Sequence, residues 1–63
     1  MNDNLIRQIE KAGISLYKLS RETGIPYTTL SRLKRGTLDI NNCTSEVVYR
    51  LSLYLGCGME EIL

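Results

Sequence analysis

The sequence predicts an all-α protein, a compact bundle of five short helices that forms a single domain over residues 1–63. Three observations favour this fold class. Apolar residues recur at helical spacing in several segments, and glycines follow those segments where helices would end. The chain contains neither a sustained alternation of apolar and polar residues nor an Asn-Gly or Asp-Gly hairpin turn. A length of 63 residues with 43% hydrophobic content suits one small globular domain.

The first two helices are predicted from their apolar faces and caps. The first helix ends at Gly13, and Asn2 or Asp3 is a suitable N-cap for it. Its inward face is predicted to consist of Leu5, Ile6, Ile9 and Ala12. Ser15 caps the second helix, which spans residues 16–23.

The third helix is predicted over residues 26–35, between Pro26 and Gly36. Proline is favoured at the first helical position because its fixed φ suits the helix and its missing N–H needs no partner there. The preceding Gly24 permits a sharp left-handed turn, and Ile25 is expected to fill the angle between the second and third helices.

Two more helices are predicted after a loop over residues 37–43. The fourth covers roughly residues 44–55, with Asn42 or Thr44 as its cap. Its inward face is predicted to contain Val47, Val48, Leu51 and Leu55. A short fifth helix is predicted from Met59.

The two cysteines, Cys43 and Cys57, are predicted to stay unpaired because they flank the fourth helix. Twelve helical residues span about 18 Å, whereas a disulfide requires Cα atoms within about 7 Å of each other. Two thiols are also too few for a structural zinc site. We therefore expect free thiols in a reducing compartment, with no metal and no cofactor.

Catalysis and membrane insertion are not expected. The chain has no His, so it lacks the usual general base, and a domain of this size offers little room for a catalytic pocket. Its apolar runs are only a few residues long, and Met1-Asn2-Asp3 does not begin a signal peptide. These features predict a cytoplasmic protein that is not an enzyme.

The charge is distributed unevenly although the net charge is only +1. Residues 15–36 carry five basic side chains against the single acidic Glu22, while residues 37–63 carry only Arg50 against four acidic side chains. A polyanion is therefore expected to bind the middle of the chain.

Residues 15–36 have the spacing of a helix-turn-helix, two helices joined by a short turn that contains glycine. At about 100° per residue, one side of the second helix of this pair carries Leu30 and Leu33. The opposite side carries Tyr27, Thr28, Ser31, Arg32 and Arg35. A helix with such a polar face fits the major groove of DNA, where arginine can bind guanine O6 and N7 together.

The run Leu-Ser-Arg-Glu-Thr-Gly-Ile-Pro-Tyr-Thr-Thr-Leu-Ser-Arg-Leu-Lys-Arg-Gly over residues 19–36 resembles the lambda-repressor-like, Cro-type helix-turn-helix family. Residues 46–63 are similar to the closing helix of that family and to its Leu-Gly-x-x-x-x-Glu-Ile-Leu ending. The resemblance implies a five-helix bundle that binds DNA through its third helix, commonly as a dimer.

Carried onto this sequence, the resemblance implies two sets of DNA contacts. The base-contacting set is Tyr27, Thr28 and Arg32, followed by Ser31. The phosphate-contacting set is Leu16 and Tyr17 through their backbone amides, together with Lys18, Lys34, Arg35, Gly36 and Thr37. The family often has glutamine at the position of Leu16, where that side chain anchors a phosphate, so only the main-chain contact is expected here.

The predicted partner is a double-stranded DNA operator, and the predicted role is that of a small phage, mobile-element or bacterial transcriptional repressor associated with the nucleoid through DNA. A homodimer is expected, with a dimer patch drawn from Tyr49, Leu53, Tyr54, Met59 and Ile62. One alternative is an antitoxin-type regulator that also binds a toxin protein. Another is a helical protein-interaction module that has lost DNA binding, and the excess positive charge of residues 15–36 argues against it.

Overall fold

A computed structural model describes all residues from Met1 to Leu63. Four α-helices, α1 to α4, and two short 3₁₀ turns follow one another along the chain, without any β-strand. The α-helices span Asp3–Ala12, Leu16–Thr23, Tyr27–Arg35 and Ser45–Leu55, and the 3₁₀ turns span Ile40–Asn42 and Met59–Glu61. The all-α prediction is therefore confirmed.

The prediction of five helices is wrong, because the segment that begins at Met59 forms a single 3₁₀ turn. Gly56 adopts a left-handed conformation that ends α4, and extended Gly58 separates the two segments. The Glu61 carboxylate accepts a hydrogen bond from the Gly58 N–H at 2.6 Å, which stabilises the start of this turn. This turn delivers Ile62 to the core, where its side chain is completely buried.

The third helix also begins one residue later than predicted. Pro26 has φ −55° and ψ 138°, and the latter angle lies outside the helical range, so the first helical residue is Tyr27. The Pro26 carbonyl nevertheless accepts hydrogen bonds from the N–H groups of Thr29 and Leu30. Pro26 therefore lies just before α3, and its carbonyl accepts the hydrogen bonds that begin the first turn of the helix.

Most of the predicted caps occur as expected, including Gly13 and Gly36 at the ends of α1 and α3. The hydroxyl of Ser15 accepts a hydrogen bond from the Lys18 N–H, and that of Thr44, rather than Asn42, accepts one from the Val47 N–H. Gly24 ends α2 in the left-handed conformation. Asn2 precedes α1 at the N-cap position, but its side chain makes no capping hydrogen bond.

The core contains one buried cluster to which every α-helix contributes. Its members are Leu5, Leu19, Ile25, Leu30, Leu33, Ile40, Val48, Leu51 and Ile62. Most of the predicted inward positions lie in or against this cluster, whereas Ala12, predicted to face inward, is exposed at the end of α1. α2 packs against both α3 and α4, and α4 also contacts α1.

Cys43 and Cys57 lie beyond opposite ends of α4, as predicted, and both thiols are free. The longest helix has 11 residues, and no helix is both long and apolar enough to cross a bilayer.

Candidate nucleic-acid interface

The N-terminus of α2 presents unpaired backbone donors. The Ser15 hydroxyl satisfies the N–H of Lys18 at 3.1 Å, and the Leu19 N–H bonds to the Ser15 carbonyl. The N–H groups of Leu16 and Tyr17 have no acceptor within the chain. Such free amides at the positive end of a helix dipole are suited to an anion such as a phosphate.

The side chain of Leu16 packs between α1 and α2. It is half-buried and lines an apolar cleft of about 140 Å³ between α1 and α2, together with Ile6 and Ile9. Lys34 from α3 lies at the same cleft. Because Leu16 offers no side-chain polar group, its predicted phosphate contact depends on the main chain alone.

Side-chain hydrogen bonds hold the turn between α2 and α3 in place. The Ser20 hydroxyl donates to the Ile25 carbonyl at 2.6 Å, and the Thr23 hydroxyl donates to the Leu19 carbonyl at 2.6 Å. Ile25 itself is 2% exposed and occupies the angle between the helices, as predicted. The Ser20 bond therefore joins α2 to the turn residue before α3, whereas the Thr23 bond lies within the last turn of α2.

α3 has one buried and one exposed side. Leu30 and Leu33 are each 1% exposed and attach the helix to the core. On the other side Tyr27 is 51% exposed, Thr28 and Arg32 are exposed, and Ser31 is half-buried. The four predicted base-contacting residues are therefore all at least partly exposed on α3.

The C-terminal end of α3 is closed by main-chain bonds. The Gly36 N–H donates to the carbonyls of Arg32 and Leu33, and the Thr37 N–H donates to the Arg32 carbonyl at 3.0 Å. The Thr37 hydroxyl also lies 3.3 Å from that carbonyl. Because these N–H groups are occupied, the free positive charge at this end comes from the side chains of Lys34 and Arg35, both exposed.

The basic side chains of residues 15–36 are not neutralised within the chain. These are Lys18, Arg21, Arg32, Lys34 and Arg35. The only salt bridges join the N-terminal amine to Asp3 and Arg50 to Glu46, so Lys18 and Glu22, four positions apart on α2, form no salt bridge. Arg21 instead lies over the Tyr17 ring, 5.8 Å from its centroid. This leaves the α2–α3 surface strongly cationic.

The ionisable groups whose pKa values differ from their ordinary values in free solution lie outside this surface. Burial raises the pKa of the Cys43 thiol, and the nearby Asp39 carboxylate acts in the same direction. Burial and Glu61 likewise raise the pKa of the Cys57 thiol. Both thiols are therefore protonated and weakly nucleophilic near neutral pH. No three His, Cys, Asp or Glu side chains are grouped closely enough to hold a metal ion.

Sequence reasoning missed the structural role of Asn2. Its side chain hydrogen-bonds to the end of α3 and the following loop, instead of capping α1. An asparagine before a helix signals a local cap. No local pattern indicates a bond to residues more than 30 positions away.

A helix-turn-helix with a polar, exposed second helix and an unneutralised basic surface defines a protein of the class that binds double-stranded DNA. A family model for the Cro/C1-type HTH DNA-binding domain matches residues 4–63, so the chain belongs to this family. The resemblance inferred from residues 19–36 is thereby confirmed, and sequence-specific DNA binding is the function of this domain family. Searches of curated proteins and of solved structures found no significant match.

Proposed function

We propose that the protein is a transcriptional repressor of phage, mobile-element or bacterial type that binds its operator as a homodimer, with α3 in the major groove. The observation that carries this proposal is the polar side of α3, which lies opposite the fully buried Leu30 and Leu33. A helix anchored in this way keeps its exposed side chains in a fixed orientation toward the groove.

Base recognition is assigned to the first half of α3 and to Arg32. Tyr27 and Thr28 occupy its first turn, the part of a recognition helix that approaches base edges most closely. Arg32 is exposed and has no carboxylate partner, so its guanidinium is available for a guanine. Ser31 adds a hydroxyl on the same side.

Phosphate binding is assigned to two places, the N-terminus of α2 and the C-terminal end of α3. The free N–H groups of Leu16 and Tyr17, with the Lys18 ammonium, supply one set of contacts. Lys34 and Arg35 supply a second set, where they also offset the negative end of the α3 dipole. Gly36 and Thr37 stay predicted contacts, although their N–H groups and the Thr37 hydroxyl already donate to main-chain carbonyls of α3.

Dimerisation is assigned to a patch on α4, here called the α4 patch and defined as Tyr49, Leu53 and Tyr54. Their exposed fractions are 54%, 66% and 38%. The patch predicted from the sequence also included Met59 and Ile62, but Ile62 is completely buried and Met59 packs partly buried against the core. We expect such a dimer to bind half-sites about one turn, roughly 10 bp, apart.

The alternatives are an antitoxin-type regulator and a protein-interaction module without DNA binding. An antitoxin would use the same DNA surface, and the α4 patch would then bind a toxin protein instead of a second copy. The interaction module is disfavoured because five unpaired cations on α2 and α3 would gain little from a neutral protein partner.

Selection of bound sites from a random double-stranded library, followed by salt titration on the selected site, tests the proposal. We expect an inverted repeat and a steep loss of affinity with salt, because several phosphates are neutralised. Arg32→Glu is the matched variant, since it reverses one charge on the polar side of α3 and should abolish selection. Failure of the parent protein to enrich any sequence would support the interaction module. An enriched site without symmetry, bound by one molecule, would contradict the dimer.

A further inference from the structure

Asn2 is unusual in both its backbone and its burial. Its φ of 63° makes it the only residue other than glycine with a positive φ. Asn2 is only 8% exposed, although it lies next to the N-terminus. Asparagine tolerates the left-handed region better than most residues, but the conformation still requires support from the surrounding structure.

That support comes from three hydrogen bonds that join distant parts of the chain. Asn2 Nδ2 donates to the carbonyls of Leu33 and Leu38, at 2.7 Å each. Asn2 Oδ1 accepts from the Ile40 N–H at 2.8 Å. One amide group therefore binds the last turn of α3 and two points of the loop that follows it.

These bonds hold the segment that carries the cations at the end of α3. Lys34 and Arg35 directly follow Leu33, whose carbonyl accepts one of the bonds. The loop through Leu38 and Ile40 leads the chain away from this end. A rotation or tilt of the last turn of α3 would move both cations relative to a bound duplex.

We propose that Asn2 is a positioning residue for DNA binding, whose side-chain amide fixes the last turn of α3 and the exit loop so that Lys34 and Arg35 face the phosphates. This inference rests on the proposed function. Asn2 precedes α1 and is not part of the cationic surface of α2 and α3, but its side chain would fix the position of two residues that are.

The test is a double-mutant cycle between Asn2 and Lys34 on the selected operator. Asn2→Asp keeps the side-chain shape and the acceptor for Ile40, but it removes both donors and places a carboxylate against two carbonyl oxygens. Because the added charge would itself repel DNA, the neutral Asn2→Gly is measured in parallel, and glycine accepts a φ of 63° without strain. Mass spectrometry checks that each variant retains Met1.

We expect each Asn2 variant to weaken operator binding by about tenfold, within the range for losing one specific contact. Lys34→Ala should then cost less in an Asn2 variant than in the parent, since the ammonium is already displaced. Ile62→Val is the control, because it trims a fully buried side chain beside the turn that packs on α4 and should leave the cost of Lys34→Ala unchanged. Circular dichroism establishes folding, and sucrose is added to all samples where a variant is partly unfolded.

Parental affinity in a folded Asn2→Gly protein, or an equal cost of Lys34→Ala in every background, would overturn the role of Asn2. In those cases the parent still binds its operator, so the proposed function stands. A parent protein that binds no DNA would overturn both proposals, which makes the two failures distinguishable.

Discussion

Arg32 and Lys34 lie two positions apart on α3 and are expected to face different parts of the DNA. Both are exposed and neither is in a salt bridge. Arg32 lies on the side of α3 opposite Leu30, two positions earlier, whereas Lys34 lies beside the cleft between α1 and α2. We expect Arg32→Ala to cost about 1–3 kcal/mol on the best site and to remove the preference at one base position.

Lys34→Ala should instead weaken binding to all sequences alike and lower the slope of log affinity against log salt by about one unit. Salt titrations of both variants on the preferred site and on random DNA measure the two effects, with circular dichroism as the check on folding. A loss of base preference in Lys34→Ala, with a uniform loss in Arg32→Ala, would mean that α3 is rotated relative to the proposed orientation.

Asp39 should contribute a pH-dependent part of the stability. Its carboxylate accepts hydrogen bonds from the Asn41 N–H and Nδ2 at 2.9 and 3.1 Å, and these bonds hold the pKa of Asp39 below its ordinary value of 3.8. A lowered pKa in the folded state stabilises the protein above the unfolded pKa, and this stabilisation is lost as the pH falls through the folded pKa.

We therefore expect the free energy of unfolding to depend less on pH in Asp39→Ala than in the parent, below a pH of about 3.8. Urea denaturation at neutral pH and at several acidic pH values measures this difference. Glu22→Ala is the control, since the exposed Glu22 carboxylate takes part in neither salt bridge. Identical acid dependence in the parent and Asp39→Ala would contradict the assignment.

At the level of elements, the joint between α2 and α3 depends on a few polar side chains. The Ser20 hydroxyl satisfies the carbonyl of the buried Ile25 at 2.6 Å. Ser20→Ala would leave that carbonyl without this partner in a poorly hydrated site, at a cost of about 1–3 kcal/mol in the free energy of unfolding.

Chemical denaturation of Ser20→Ala measures this cost, and Ser45→Ala is the matched control. Ser45 is exposed at the start of α4 and its hydroxyl makes no hydrogen bond, so we expect a change within about 0.5 kcal/mol. Equal stability of the two variants would show that the Ile25 carbonyl is satisfied by another group, such as water.

At the level of the whole molecule, DNA recognition is expected to depend on dimerisation through the α4 patch. Leu53 is 66% exposed, so Leu53→Glu should leave the monomer folded while introducing a charge at the dimer contact. We expect binding to an operator with two half-sites to weaken at least about tenfold, with little change for a single half-site.

Mobility shifts on both DNA fragments and sedimentation of the complexes measure this outcome. Leu63→Glu is the control, since Leu63 is an exposed apolar residue outside the patch. Unchanged cooperative binding by Leu53→Glu would contradict dimerisation through the α4 patch. Equal losses in both variants would point to a general effect of added negative charge.

The local sequence determined most of the helical architecture and the two sides of α3. Ser15, Gly24 and Thr44 act within a few residues of their own positions, so their effects on helix ends could be predicted from spacing alone. The inward positions of Leu30 and Leu33 follow from the helical period for the same reason. The resemblance to the Cro-type family was carried by local patterns of this kind over residues 19–36 and 46–63, and the family model covers residues 4–63.

The tertiary structure decided the features that depend on contacts between distant residues. Asn2 looks like a helix cap, but its amide binds groups 31 to 38 positions away, because the folded chain brings the carbonyls of Leu33 and Leu38 and the Ile40 N–H next to it. Ile62 was expected at the surface and is buried, since the single 3₁₀ turn before it directs its side chain into the core. Local patterns fix where helices begin and end, whereas three-dimensional packing decides which polar groups and side chains meet.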